Sequence, residues 1–149
     1  MTVQKMWEAF IKENPMYKNE HYDSFAFGNN DISADELAML VKEGKKTATA
    51  SGYCFYEIEN EPLPKEGQFS IVLNSKKKPE CIIVTTKVYL KPFNEVSKEH
   101  AYKEGEGDRS LDYWKEVHQE FFSEGLKVYN QAFDETMLIV CEEFKLVWK

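Results

Sequence analysis

The run from Cys81 to Leu90 is the strongest constraint in this chain, because Ile82, Ile83, Val84, Thr85, Thr86 and Val88 follow one another with little interruption. β-Branched side chains favour extended backbone, where their restricted χ1 costs least. A stretch this apolar is buried in part on both faces, so it reads as an inner strand with packing above and below it. Phe69-Ser70-Ile71-Val72-Leu73 supplies a second strand, entered from a turn marked by Pro62, Pro64 and Gly67. The Lys76–Pro79 stretch between the two reads as a hairpin tip. Thr47 to Tyr56, rich in Thr, Ser, Tyr and Phe, predicts a further strand. Met137 to Val147 predicts one bent strand or two short ones.

Between these runs the hydrophobic period changes from two to about 3.6. Val3, Met6, Trp7, Phe10 and Ile11 predict a helix over residues 2–13, stopped by Asn14-Pro15. Met16 to Asn30 reads as irregular. Ser33-Ala34-Asp35-Glu36 is a capping box, and Leu37, Leu40 and Val41 form the stripe of the helix it opens; Gly44 ends it. A short helix carries Val96, His100, Ala101 and Tyr102. After the break at Glu104-Gly105-Glu106-Gly107-Asp108, Asp108 can cap a helix whose inward stripe is Leu111, Trp114, His118, Phe121 and Phe122. On that stripe His118 reads as a hydrogen-bonded core histidine. Roughly five strands and four helices, without regular βαβ repeats, predict an α+β domain built on a small barrel-like sheet.

The 149 residues suit a single domain over 1–149, with a core of about 25–148 and the N-terminal helix packed on it. Lys and Arg number 19 against 26 Asp and Glu, so the formal net charge is −7, and the pI is near 5.1. That balance argues against a surface that tracks long nucleic acid, which needs many phosphate-neutralising cations. It leaves room for a pocket that takes one nucleotide. No apolar run is long enough to span a membrane, and the first residues lack the pattern of a signal peptide. Cys54, Cys81 and Cys141 are too few and too scattered for a disulfide framework, which predicts a reduced, cytoplasmic setting.

Several familiar chemistries fail on spacing. Gly44-Lys45-Lys46-Thr47 lacks the upstream glycine of a phosphate loop, since that position is Met39. A calcium loop starting at Glu104 would place Lys115 where a bidentate glutamate belongs. The Cys and His residues show no zinc spacing, so no metal and no cofactor is expected. What remains is Gly44-Lys45-Lys46-Thr47-Ala48-Thr49-Ala50-Ser51, two cations beside hydroxyls at a helix-to-strand junction. In flat strand Lys46 and Thr49, three apart, would leave opposite faces, so convergence needs a turn or bulge nearby. Tyr53 and Tyr56, read as strand residues, offer one ring for stacking on a base.

Together with Phe27-Gly28, Leu37-Ala38-x-Leu40-Val41, Pro64-x-x-Gly67, Pro92-Phe93, Glu104 to Asp108, Trp114 and His118-x-x-Phe121-Phe122, this segment resembles the ASCH domain superfamily, relatives of PUA domains. The order and spacing carry the resemblance over most of the chain. It implies a PUA-like β-barrel of about five to six strands flanked by helices, with a cleft that binds RNA or a modified nucleoside. One branch hydrolyses the amide of N4-acetylcytidine with Lys and Thr from Gly-x-Lys-x-x-Thr and a later Glu; Lys46, Thr49 and Glu104 match these positions. Lys45, Tyr53, Tyr56 and Ser110 are the further candidates for ligand contacts. Three functions therefore stand: a cleft binding RNA or a modified nucleoside, an amidohydrolase or ribonuclease, and an acidic protein-interaction domain. The oligomeric state is left open.

Overall fold

Thr2 opens α1 (Val3–Glu13), its hydroxyl accepting from the Lys5 amide, and Met6, Trp7 and Phe10 form its buried stripe. A 3-10 turn at Pro15–Tyr17 leads to β1 (Tyr22–Phe25), in the segment read above as irregular. Next come α2 (Asp31–Lys42), β2 (Ala48–Gly52), α3 (Tyr53–Glu59), β3 (Phe69–Leu73) and β4 (Pro79–Pro92). After a 3-10 turn at Phe93–Glu95, α4 (Lys98–Glu104), α5 (Leu111–Lys127) and β5 (Leu138–Trp148) complete the chain. The computed structural model describes all residues 1–149. No helix is long and apolar enough to cross a membrane.

The five strands form one mixed sheet in the order β1-β3-β4-β5-β2, parallel between β1 and β3 and antiparallel elsewhere. The expected barrel is not there. β1 and β2 are both edges and do not pair with each other, so the sheet stays open. What the sequence read as barrel-like is a coiled open sheet: the β4–β5 ladder slips register between Ile82 and Ile83 and again between Thr85 and Lys87. Such irregularities bend strands and increase twist without closing the sheet. β5 is one strand, not two.

The inner-strand expectation holds. Ile82 packs with Trp7 and Phe10 of α1, whereas Ile83 packs with Ala38 and Val41 of α2. Neighbours on a strand leave opposite faces, so the two helices cover the two sides of β4. A third cluster joins Phe93, Trp114 and Phe122 to Ile139 and Cys141, which seats α5 at the β5 end of the sheet.

Three local readings need correction. Ser33 does not cap α2; Asn30 does, its side-chain oxygen accepting from both the amide and the hydroxyl of Ser33. Asn is as strong a cap as Ser and lies at the true start of the helix. Likewise Ser110, not Asp108, caps α5 and accepts from the Tyr113 amide, while Asp108 accepts from the amide of Ser110. The strand predicted to run to Tyr56 stops at Gly52, and Tyr53 and Tyr56 belong to α3. Gly52 ends the strand because Phe55 folds back onto it, where a β-carbon would strike the ring.

Candidate functional site

Lys46 is strapped in place by backbone before its side chain does anything. Past Gly44, which adopts φ +77°, the amides of Lys45 and Lys46 both donate to the Leu40 carbonyl at 3.0 and 3.1 Å. The next amide, Thr47, donates to the Lys103 carbonyl at 2.7 Å. The junction between α2 and β2 is thereby tied to α4, and the Lys46 side chain, 2% exposed, points inward.

α4 delivers the counter-charge. Glu104 is its last residue, 2% exposed, and Gly105 turns the chain with φ +75°. A β-carbon on Gly105 would press into the carbonyl of Lys45. Gly105→Ala therefore combines a left-handed backbone with a clash, and should lower stability by about 2 kcal/mol. Thermal unfolding would register this as a fall of roughly 4–8 °C. A change under 1 °C would mean that the α2–β2 junction yields easily.

The Lys46 Nζ lies 3.1 Å from Glu106 Oε2 and 3.5 Å from Glu104 Oε1, and it donates to the Glu104 carbonyl at 3.4 Å. Its charge also sits 5.3 Å from the centre of the Phe27 ring. Glu104 is enclosed by donors. Trp114 Nε1 and His100 Nε2, the latter at 2.7 Å, reach Oε2, while His118 Nε2 lies 3.3 Å from Oε1. Burial opposes the charge of Glu104, but Lys46, His100 and His118 outweigh it and hold the carboxyl well below its usual range.

His118 stacks on Trp114 with ring centres 4.2 Å apart. Its Nδ1 faces the Trp114 carbonyl at 2.9 Å, an acceptor, so that nitrogen carries hydrogen. Nε2 faces the Glu104 carboxylate, and the network thus assigns hydrogen to both nitrogens. Burial works against such an imidazolium, yet the bond to Glu104 and its charge raise His118 above the usual 6.5. His100 carries hydrogen on Nε2 and can accept from the Tyr89 hydroxyl, 3.5 Å away, at Nδ1.

Lys46, Glu104, Glu106 and His118 border a cleft of about 480 Å³, within the usual size of small-molecule sites. Phe27, Tyr113 and Phe121 give it aromatic walls. Five glutamates border it, Glu36, Glu104, Glu106, Glu120 and Glu124, and Lys46 is its only lysine or arginine. Thr49 and Ala50 both border it although neighbours in a strand leave opposite faces, which places the cleft along the free edge of β2. Lys46 and Thr49 reach one site in this way, since Lys46 precedes the strand and the cleft follows its edge. Ligand atoms of Glu104, Glu106 and His118 lie within 4.8 Å of one another, close enough for a metal ion. The Lys46 ammonium, within 3.5 Å of both carboxylates, is already their cation, so no metal is assigned.

Of the residues singled out in the sequence, Lys46, Thr49 and Glu104 border this cleft; Lys45, Tyr53, Tyr56 and Ser110 do not. Lys45 is exposed beside Glu43, Tyr56 bonds the Ser51 hydroxyl at 2.8 Å, and Ser110 is occupied as a cap. His118, read as a core residue, is buried but faces the cleft. Glu106 and the aromatic walls were missed as ligand contacts. For Tyr113 and Phe121 the signal was available on α5, where Tyr113, Val117, Phe121 and Glu124 recur at three- and four-residue steps beside the apolar stripe of Trp114, His118, Phe122 and Leu126.

Residues 23–148 match the family model of the ASCH domain. The chain is similar to the ASCH domain from Lactobacillus crispatus JV V101, at 34% identity and a TM-score of 0.93, over 98% of this chain and 94% of that one. It is also similar to a protein from Enterococcus faecalis V583, at 38% identity and a TM-score of 0.89, over 98% of this chain and 88% of that one. Among curated proteins none matches it.

Proposed function

The chain belongs to the ASCH domain family, and from that premise we propose that the cleft binds a single modified nucleobase, as a free nucleoside. One observation carries this reading: a cleft of nucleoside size has aromatic walls and one buried lysine held between two carboxylates. The base enters between Phe27 and the rings on α5. Lys46 donates to its carbonyl oxygen, and Glu106 accepts from an exocyclic amine. Stacking on such walls typically contributes about 1–3 kcal/mol per base. Five carboxylates against Lys46 and His118 leave the cleft net negative and disfavour phosphate, which argues for a nucleoside over an RNA strand.

Calorimetric titration with cytidine, N4-acetylcytidine, their 5′-monophosphates and a short RNA tests the reading. The nucleosides should bind at least tenfold more tightly than the monophosphates at low salt, with the gap narrowing as salt screens the glutamates. RNA binding that is tighter and falls steeply with salt would reverse the assignment. No nucleoside binding at millimolar concentration would end it.

A second reading, amide hydrolysis, is favoured because Lys46, Thr49 and Glu104 border the same cleft. Lys46, between two carboxylates, suits donation to the carbonyl oxygen rather than proton abstraction. The Thr49 hydroxyl or a water then attacks the acyl carbon, its proton passing through Glu106 to the departing nitrogen as the C–N bond breaks; attack by Thr49 leaves an acetyl ester that one water hydrolyses to acetate and the free hydroxyl. Release of cytidine and acetate from N4-acetylcytidine, lost in Thr49→Val with binding retained, would support Thr49 as nucleophile. Turnover that survives in Thr49→Val assigns the attack to water.

A further inference from the structure

Past Phe121 and Glu124 the cleft continues into a second depression of about 530 Å³ between α3 and α5. Asn29, Phe121 and Glu124 border both spaces. Phe55 and Tyr129 line the new one, with ring centres 6.1 Å apart. Phe55 is held in position by two glycines. A β-carbon at Gly52 would strike the ring, and one at Gly125 would lie 3.1 Å from its tip. Glycine inside a helix such as α5 is unfavourable against alanine, so Gly125 fits as the residue that admits Phe55.

The charge of this depression is one-sided. Glu59 and Glu124 line it, no lysine or arginine does, and neither glutamate forms an ion pair. Glu59 accepts from the Tyr129 hydroxyl at 2.9 Å, which fixes the carboxylate against the ring. Aromatic faces flanked by free carboxylates attract an ammonium group through both the ring quadrupole and the full charge.

We propose that this depression is a subsite for a protonated amine, and that the ligand is a nucleoside whose base carries an aminoalkyl arm. The proposal rests on the nucleobase reading for the first space. The base sits over Lys46, the arm passes Phe121, and the ammonium lies among Phe55, Tyr129, Glu59 and Glu124.

The test compares cytidine with its N4-(4-aminobutyl) and N4-(4-hydroxybutyl) derivatives by calorimetry, and follows the Phe55 and Tyr129 ring resonances with butylammonium alone. The aminobutyl compound should bind at least tenfold more tightly than the hydroxybutyl compound. Glu59→Lys, at the exposed end of α3 and outside the first space, should erase that preference and leave cytidine affinity unchanged. Equal affinity of the two arms, or a preference that survives Glu59→Lys, overturns the subsite. If no cytidine binds, the nucleobase reading falls by itself. Butylammonium then decides the subsite: saturable shifts at Phe55 and Tyr129 that Glu59→Lys removes support it, and their absence overturns it.

Discussion

Replacing Lys46 by Met lowers the unfolding free energy by about 3–5 kcal/mol, the usual consequence of removing one partner of a buried ion pair. Methionine fills nearly the same volume and suits an apolar neighbour such as Phe27, so packing alone loses little. The loss comes from Glu104, which is 2% exposed and would keep its charge with no lysine beside it. Glu106 matters less, because its side chain reaches water. A second substitution distinguishes this account from a packing defect. In Glu104→Gln the amide oxygen can accept from His100 and Trp114, and the amide nitrogen can donate to Nε2 of a neutral His118. The double variant Lys46→Met with Glu104→Gln should therefore recover all but about 1 kcal/mol, since a satisfied neutral network can replace a buried pair at little cost. Urea unfolding of the four proteins measures the coupling directly. Additive losses would show that Lys46 acts through packing and not through Glu104.

The same pair explains how far the sequence could be read. That Lys46 and Thr49 lie near one another was legible because the helix stop at Gly44 and the Gly-x-Lys-x-x-Thr spacing are local, whereas Glu104, on α4, came only from the family resemblance. The strands β3 and β4 were legible for the same reason, through their β-branched runs. What failed depends on contacts distant in the chain. Tyr53 and Tyr56 look like strand residues, but Phe55 must fold back between Gly52 and Gly125, and that turns the segment into α3. Barrel closure depends on whether β1 meets β2, and no property of either strand alone decides that. His118 sits on an apolar stripe with Trp114 and Phe122, and the stripe hid its role. Only the approach of α4 to α5 brings Glu104 within 3.3 Å of it and turns a core position into one wall of a charged site.

That approach also dictates a two-sided pH dependence of stability. Glu104, held well below its usual 4.5, contributes stability that is complete above that pH and is lost as the pH falls toward its folded value. His118, raised above 6.5, contributes stability that is complete below 6.5 and is lost as the pH rises through its folded value. Stability should therefore be greatest between about pH 4.5 and 6.5 as far as this pair decides it. The groups facing His118 are Glu104 from α4, the Trp114 carbonyl from its own helix, and the charge of Glu106. His118→Gln should flatten the alkaline side and leave the acid side in place, because Lys46 and His100 still hold Glu104. Glu104→Gln should weaken both sides, since His118 then loses its carboxylate. Some acid loss would persist, because Asp35, Glu80, Asp108 and Asp134 are also held below their usual values by local hydrogen bonds. Urea midpoints across the pH range, with the His118 ring followed by NMR, separate these cases. An alkaline side unchanged in His118→Gln would place its origin elsewhere.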